Sequence, residues 1–144
     1  GTNTPAFQAY LSSNQAITAA VNTKVEFDTE VFDTDGYFDN STNYRFTPLV
    51  AGKYYFYLTV YTSYNVSPGD RLNAYIYKNG SEHLRNNLNF RNSSQGNGTV
   101  FISGIIDMNG TTDYVEGYGM YDGNTIEFSA GSSRTFFGGY KIIE

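Results

Sequence analysis

Apolar and polar residues alternate with a period of two along most of the chain, which is the signature of half-buried strands. The alternation is clearest over 53–62, where Tyr54, Phe56, Leu58 and Val60 share one face and Tyr55, Tyr57, Thr59 and Tyr61 share the other. Over 71–78, Leu72, Ala74 and Ile76 point one way and Asn73, Tyr75 and Tyr77 the other. Further strands are predicted at 7–11, 24–27, 30–32, 44–47, 82–90, 99–107, 113–120, 125–129 and 135–143. The breaks between them carry turn chemistry: Pro48 with Gly52, Pro68-Gly69-Asp70, Asn79-Gly80 and Asn109-Gly110. Asn-Gly is a strong hairpin signal because both residues tolerate positive φ. About ten short strands at this spacing predict a sandwich or barrel. No stretch has the helical period, and no repeat or linker divides the chain.

Composition agrees with an all-β domain. The 144 residues include 14 Tyr and 11 Phe but no Trp, and 15 Gly to punctuate turns. Aromatic and β-branched side chains pack well on a pleated face. One domain of this length buries a core without cross-links. The absence of cysteine excludes disulfides, zinc–thiolate sites and a Cys nucleophile. Net charge is −5, and the nine basic residues are scattered, so no patch exists to neutralise nucleic-acid phosphates. No apolar run reaches membrane-spanning length.

Catalytic chemistry is sparse. The single histidine, His83, lies in a polar predicted strand without a nucleophile motif beside it. No Gly-x-Ser-x-Gly elbow occurs, and no enzyme is expected. The densest acidic stretch holds Asp28, Glu30, Asp33, Asp35 and Asp39. Asp33-Thr34-Asp35-Gly36 matches the start of a calcium loop, but the twelfth position of that pattern is Tyr44 rather than Glu. Asp33, Asp35 and Asp39 are therefore either calcium ligands or caps on turn amides. Spacing alone does not establish a glycosidase carboxylate pair. Six Asn-x-Ser/Thr triplets, at Asn40, Asn65, Asn79, Asn92, Asn97 and Asn109, are glycan acceptors if the chain is secreted by a eukaryote, or chance products of its composition. Sugar recognition needs exposed rings beside amides and carboxylates, and loops on a rigid scaffold supply such sites. Tyr64, Asn65, Tyr121, Asp122 and Asn124 are the candidate contacts, with 86–95 forming a further candidate loop.

Several motifs in fixed order resemble the globular head of C1q/TNF-like proteins across nearly the whole chain. They are Pro5-Ala6-Phe7-Gln8-Ala9-Tyr10, then Val25-Glu26-Phe27 and Val31-Phe32-Asp33, then Tyr37, Asp39 and Asn43 at the family's tyrosine–aspartate turn. Phe46-Thr47-Pro48 with Gly52-Lys53-Tyr54-Tyr55-Phe56 follows, then Tyr77-Lys78-Asn79-Gly80. The stretch 109–115 resembles the family's Gly-Asp-x-Val turn with extra residues, and Thr135-Phe136-Phe137-Gly138-Gly139-Tyr140-Lys141 resembles its last strand with Lys141 in place of a leucine. The cysteine-free, Asn/Ser/Thr/Tyr-rich style and Phe27-Asp28-Thr29-Glu30-Val31-Phe32-Asp33 resemble C1q-like domains of tailed, chiefly marine, phages.

The resemblance implies a jelly-roll sandwich of about ten antiparallel strands that forms a homotrimer. Residues 1–144 would be one head domain, expected at the end of a longer fibre or appendage protein. Tyr55, Tyr57, Tyr61 and Phe137 would meet the threefold axis; alternatively these tyrosines only decorate a solvated face. The implied role is non-enzymatic attachment of a virion surface to host glycans or proteins, alongside other virion proteins. A purely structural trimerisation or capsid-decoration domain is one alternative. An extracellular C1q-like lectin or signalling ligand is the other. No cofactor is expected beyond calcium, which some relatives bind near the trimer apex.

Overall fold

The computed structural model describes residues 1–63, 66–91, 96–123 and 126–143. Its strands are β1 (Ala6–Tyr10), β2 (Gln15–Ala16), β3 (Thr23–Lys24), β4 (Thr29–Asp33), β5 (Phe38–Asp39), β6 (Arg45–Phe46), β7 (Gly52–Thr62), β8 (Arg71–Lys78), β9 (Ser81–Asn89), β10 (Gly98–Met108), β11 (Val115–Tyr121), β12 (Glu127–Phe128) and β13 (Phe136–Lys141). A five-stranded sheet runs β10-β7-β13-β1-β4. A six-stranded sheet runs β5-β6-β11-β8-β9, with β3 also pairing β11, and β12-β2 forms a small ribbon. All pairings are antiparallel. The two sheets stack as a jelly-roll sandwich.

The core follows from the alternation. Tyr54, Phe56, Leu58 and Val60 of β7 are wholly buried and face Leu72, Ala74 and Ile76 of β8 across the sandwich. Phe7 centres an aromatic cluster, stacked on Phe46 at 4.3 Å and Phe38 at 4.9 Å, with Phe137 edge-on at 5.2 Å. Aromatic pairs at such separations add to simple area burial. Glycine makes room for these rings. A Cβ on Gly139 would lie 2.4 Å from Phe56 Cδ1 and 2.8 Å from the Tyr55 carbonyl oxygen.

Several predicted strands shrink to two residues. The predicted 24–27 strand keeps its ladder only at Thr23–Lys24, because the chain there crosses between sheets: β3 pairs β11, whereas β4 pairs β1. Val25 and Phe27 still enter the core and are fully buried. The polar β9 is a full nine-residue strand. It is the free edge of its sheet, and only Leu84 and Leu88 turn inward to the core.

Candidate functional site

The outer face of the five-stranded sheet is aromatic and open. Tyr55, Tyr57, Thr59 and Tyr61 of β7 lie opposite Ile105, Ser103, Phe101 and Thr99 of β10. On the other side, Phe136, Gly138 and Tyr140 of β13 lie opposite Thr59, Tyr57 and Tyr55. None of these eleven positions carries a charge. Tyr140 packs on Tyr55 at 5.5 Å and Phe136 meets Tyr57 at 6.3 Å. Tyr57 lies down across Gly138, where a Cβ would sit 2.3 Å from its hydroxyl, and donates to Gln8 Oε1 at 2.5 Å. The face is thereby flattened. Burial, with Tyr140 and Tyr55 nearby, pushes the Tyr57 phenol above its usual range. Large apolar groups remain exposed: Ile105 by 57%, Phe101 by 49%, Phe32 by 45% and Tyr140 by 38%. Exposed apolar groups thus stand on both edge strands of this face, Phe101 and Ile105 on β10 and Phe32 on β4.

Tyr55, Tyr57 and Tyr61 thus lie on the predicted face, but Phe137 does not. It is fully buried in the core against Phe7 and Phe27. Strand parity is the reason: Phe136 and Tyr140 point outward, Phe137 and Gly139 inward. Sequence reasoning also passed over Phe101 and Ile105, although the alternation over 99–107 carries their outward direction.

Asp33, Asp35 and Asp39, read from sequence as calcium ligands or turn caps, are each engaged by groups of their own turns. Asp33 accepts from the amides of Gly36, Tyr37 and Phe38, and Asp39 from those of Ser41, Thr42 and Asn43. The Thr42 amide leads in holding the Asp39 carboxyl below its usual range; partial desolvation opposes it and the Ser41 and Asn43 bonds reinforce it. Asp35 takes the Thr34 hydroxyl. Each carboxylate is folded back on its own turn, and no group of three acidic, His or Cys side chains able to hold a metal occurs among the described residues.

The described parts of the loops proposed for sugar contact, 66–70, 89–91 and 121–123, meet at the end of the sandwich opposite residues 5 and 141. There Gly69 N donates to Phe90 O, Phe90 N to Asp70 O, and Asp122 N to Arg71 O. At the other end Lys141 N donates to Pro5 O. Tyr64, Asn65 and Asn124 lie outside the described residues. Tyr121 is not an exposed contact: it is fully buried in the core, and its hydroxyl donates to Asp70 at 3.2 Å. Burial, reinforced by Asp70, pushes its phenol up to about 12. The Asp122 carboxylate is engaged by the Arg71 amide at 2.6 Å and Nε at 2.8 Å. His83 is exposed on the edge strand β9.

The outer face of the six-stranded sheet is also rich in tyrosine, but closed. Tyr77 stacks on Tyr118 at 3.8 Å and Arg45 lies 4.1 Å over the Tyr114 ring. The buried Glu116 carboxylate pairs with Lys24 Nζ at 2.5 Å and Arg45 Nε at 3.8 Å.

No family model matches the chain, and no curated protein matches it. Solved structures do. The globular domain of zebrafish complement 1qA protein superposes with a TM-score of 0.71 at 18% identity, over 97% of this chain and 98% of that one. Murine APRIL, in its structure at pH 8.0, superposes with a TM-score of 0.70 at 12% identity, over 95% and 98%. At such identities the likeness establishes the fold: an all-β jelly roll of the C1q/TNF-like type.

Proposed function

We propose that the chain is a non-enzymatic head domain that closes into a homotrimer through the aromatic face of its five-stranded sheet. On this reading it attaches a virion fibre or appendage to host-surface glycans or proteins. The observation that carries the reading is that face: uncharged at its centre, flattened by Tyr57 and left with Phe101, Ile105 and Tyr140 uncovered. Depletion of charge with enrichment in Tyr and Phe is the composition of an interface core. The face has an apolar β10 margin and a tyrosine centre, so the occupant it suits is a second copy, margin against centre. Three such head-to-tail contacts close a ring.

Geometry supports attachment in a second way. Both termini leave from one end, with a Cβ on Gly1 placed 3.2 Å from Ile143 Cγ2. The loops 66–70, 89–91 and 121–123 therefore crown the far end. Three copies of a weak site on one rigid head gain avidity of about 10²–10⁴ without new contacts.

A purely structural trimerisation domain is the second reading, favoured by the internal commitment of Tyr121 and Asp122. A glycan array and a panel of bacterial cells probed with the wild-type head and with the Phe101→Glu/Ile105→Glu variant separate the two. Attachment requires wild-type binding that the variant loses. Equal binding by both forms contradicts the avidity mechanism, and no binding by either selects the structural reading.

A further inference from the structure

A cleft of about 380 Å³ opens where the 11–16 segment, the 26–28 crossing and Tyr44 meet. Its size falls within the usual range of small-molecule sites. The walls are held by side-chain bonds together with the short β2–β12 ladder. Gln15 spans one wall, donating to Lys24 O and accepting from Glu26 N, both at 2.9 Å. Asn14 spans another, donating to Glu127 Oε1 at 2.7 Å and accepting from Ala130 N at 2.8 Å. Asp28 is held by the Ser12 amide at 2.9 Å and the Ser12 hydroxyl at 2.5 Å. Desolvation pushes the Asp28 carboxyl up, but these bonds outweigh it and hold the group below its usual range, so it stays ionised at neutral pH.

Within this rigid frame three groups are uncommitted. The Glu26 carboxylate, the Ser13 hydroxyl and the Tyr44 hydroxyl make no hydrogen bond or ion pair among the described residues. No cationic side chain lines the cleft. Tyr44 sits at φ +51°, a left-handed conformation that Asn or Gly adopts freely and a bulky aromatic does not. Strain of this kind persists only where the surroundings impose it, and it concentrates at ligand sites.

We infer that this cleft binds a neutral pyranose. Glu26 and Asp28 accept hydrogen bonds from vicinal sugar hydroxyls, Ser13 donates and accepts, and the Tyr44 ring covers a C–H face of the sugar. The carboxylates and the lack of a cation select against sialylated, sulfated or phosphorylated ligands. None of the lining residues belongs to the aromatic face, so binding and assembly are separable. The inference deepens the attachment reading above and rests on it.

The test is a TROSY NMR titration of the intact protein with methyl α-mannopyranoside, methyl β-galactopyranoside and N-acetylglucosamine, with N-acetylneuraminic acid as the anionic probe. The expected result is that at least one neutral sugar shifts resonances of 11–16, 26–28 and Tyr44, while the anionic sugar does not. Glu26→Gln should weaken that binding about tenfold or more. Tyr44→Asn should melt no lower than wild type, since it relieves the left-handed tyrosine, and yet lose binding; a merely structural Tyr44 would not separate these readouts. A cleft silent to every neutral sugar, an unchanged response in Glu26→Gln, or a stronger response to the anionic sugar overturns the inference. Glycan-array binding retained by Glu26→Gln would also overturn the cleft assignment while leaving the attachment reading standing.

Discussion

The outer faces of the two sheets both carry a row of tyrosines, yet they are in opposite states. On the six-stranded sheet the rings are spent on one another and on arginines: Tyr77 on Tyr118, Arg45 over Tyr114, Arg85 over Tyr75. A buried Glu116 ties Lys24 and Arg45 into the same layer. On the five-stranded sheet the rings also touch, Tyr55 with Tyr140 and Arg134 over Tyr61, but Phe101, Ile105 and Tyr140 beside them stay between 38% and 57% exposed. The count of tyrosines on a face therefore does not mark an interface. What marks it is how much apolar surface stays exposed beside the rings.

The largest effect should come from charging the open face. Phe101→Glu with Ile105→Glu places carboxylates where assembly would bury them unpaired. The trimer dissociation constant should rise by on the order of 1,000-fold, read by sedimentation, with the melting temperature of the monomer little changed. Unaltered assembly would mean that another surface joins the copies.

Next, two adjacent glycines of β13 divide folding from assembly. Gly139→Ala drives a Cβ into Phe56 and the Tyr55 backbone, and should cost the fold about 1–3 kcal/mol in thermal or urea unfolding. Gly138→Ala meets only the far end of the Tyr57 side chain, which can lift. It should roughen the face and weaken the trimer while leaving monomer stability nearly intact. A reversed pattern would show that the sheet is oriented the other way round.

On the closed face, Glu116→Gln removes the carboxylate shared by Lys24 and Arg45. Both cations are partly exposed, which screens the pair, so a loss of about 1–2 kcal/mol in unfolding free energy is expected, with no change in oligomeric state. A loss of assembly in this variant would erase the distinction between the faces.

The smallest effect is on pH dependence. Burial pushes the Tyr54 and Tyr121 phenols up to about 12, against an ordinary value of 10.0. A raised folded value means that their contribution is complete below pH 10 and is lost as pH climbs toward 12. Melting temperatures should therefore be flat through neutral pH and fall between about pH 10 and 12. Tyr121→Phe should blunt that fall.

Much of the fold was legible because β7, β8 and β10 are long enough to show their period. The crossing at 25–27 was not, since Val25 and Phe27 alternate as a strand would while their backbone leaves one sheet for the other. The open face was half legible. β7 reveals Tyr55, Tyr57 and Tyr61 by parity alone, but Phe136-Phe137-Gly138-Gly139 puts two aromatics and then two glycines side by side and erases the alternation. Only the register, Phe136 opposite Thr59 and Tyr140 opposite Tyr55, decides which ring faces out. Asp33 and Asp39 were ambiguous because spacing does not tell a carboxylate aimed at an ion from one folded onto its own amides. The cleft left no trace in the sequence, because its walls come together through side-chain bonds such as Gln15 to Lys24 and Ser12 to Asp28 and through the short β2–β12 pairing, none of which spacing reveals.

The most direct test of the central claim is the solution mass by light scattering, with and without EDTA. The account predicts three times the 16.1 kDa of the chain, unchanged by EDTA because the acidic turns cap themselves. A stable monomer would contradict the assembly through the aromatic face, and a trimer that falls apart in EDTA would contradict the reading of Asp33 and Asp39 as caps.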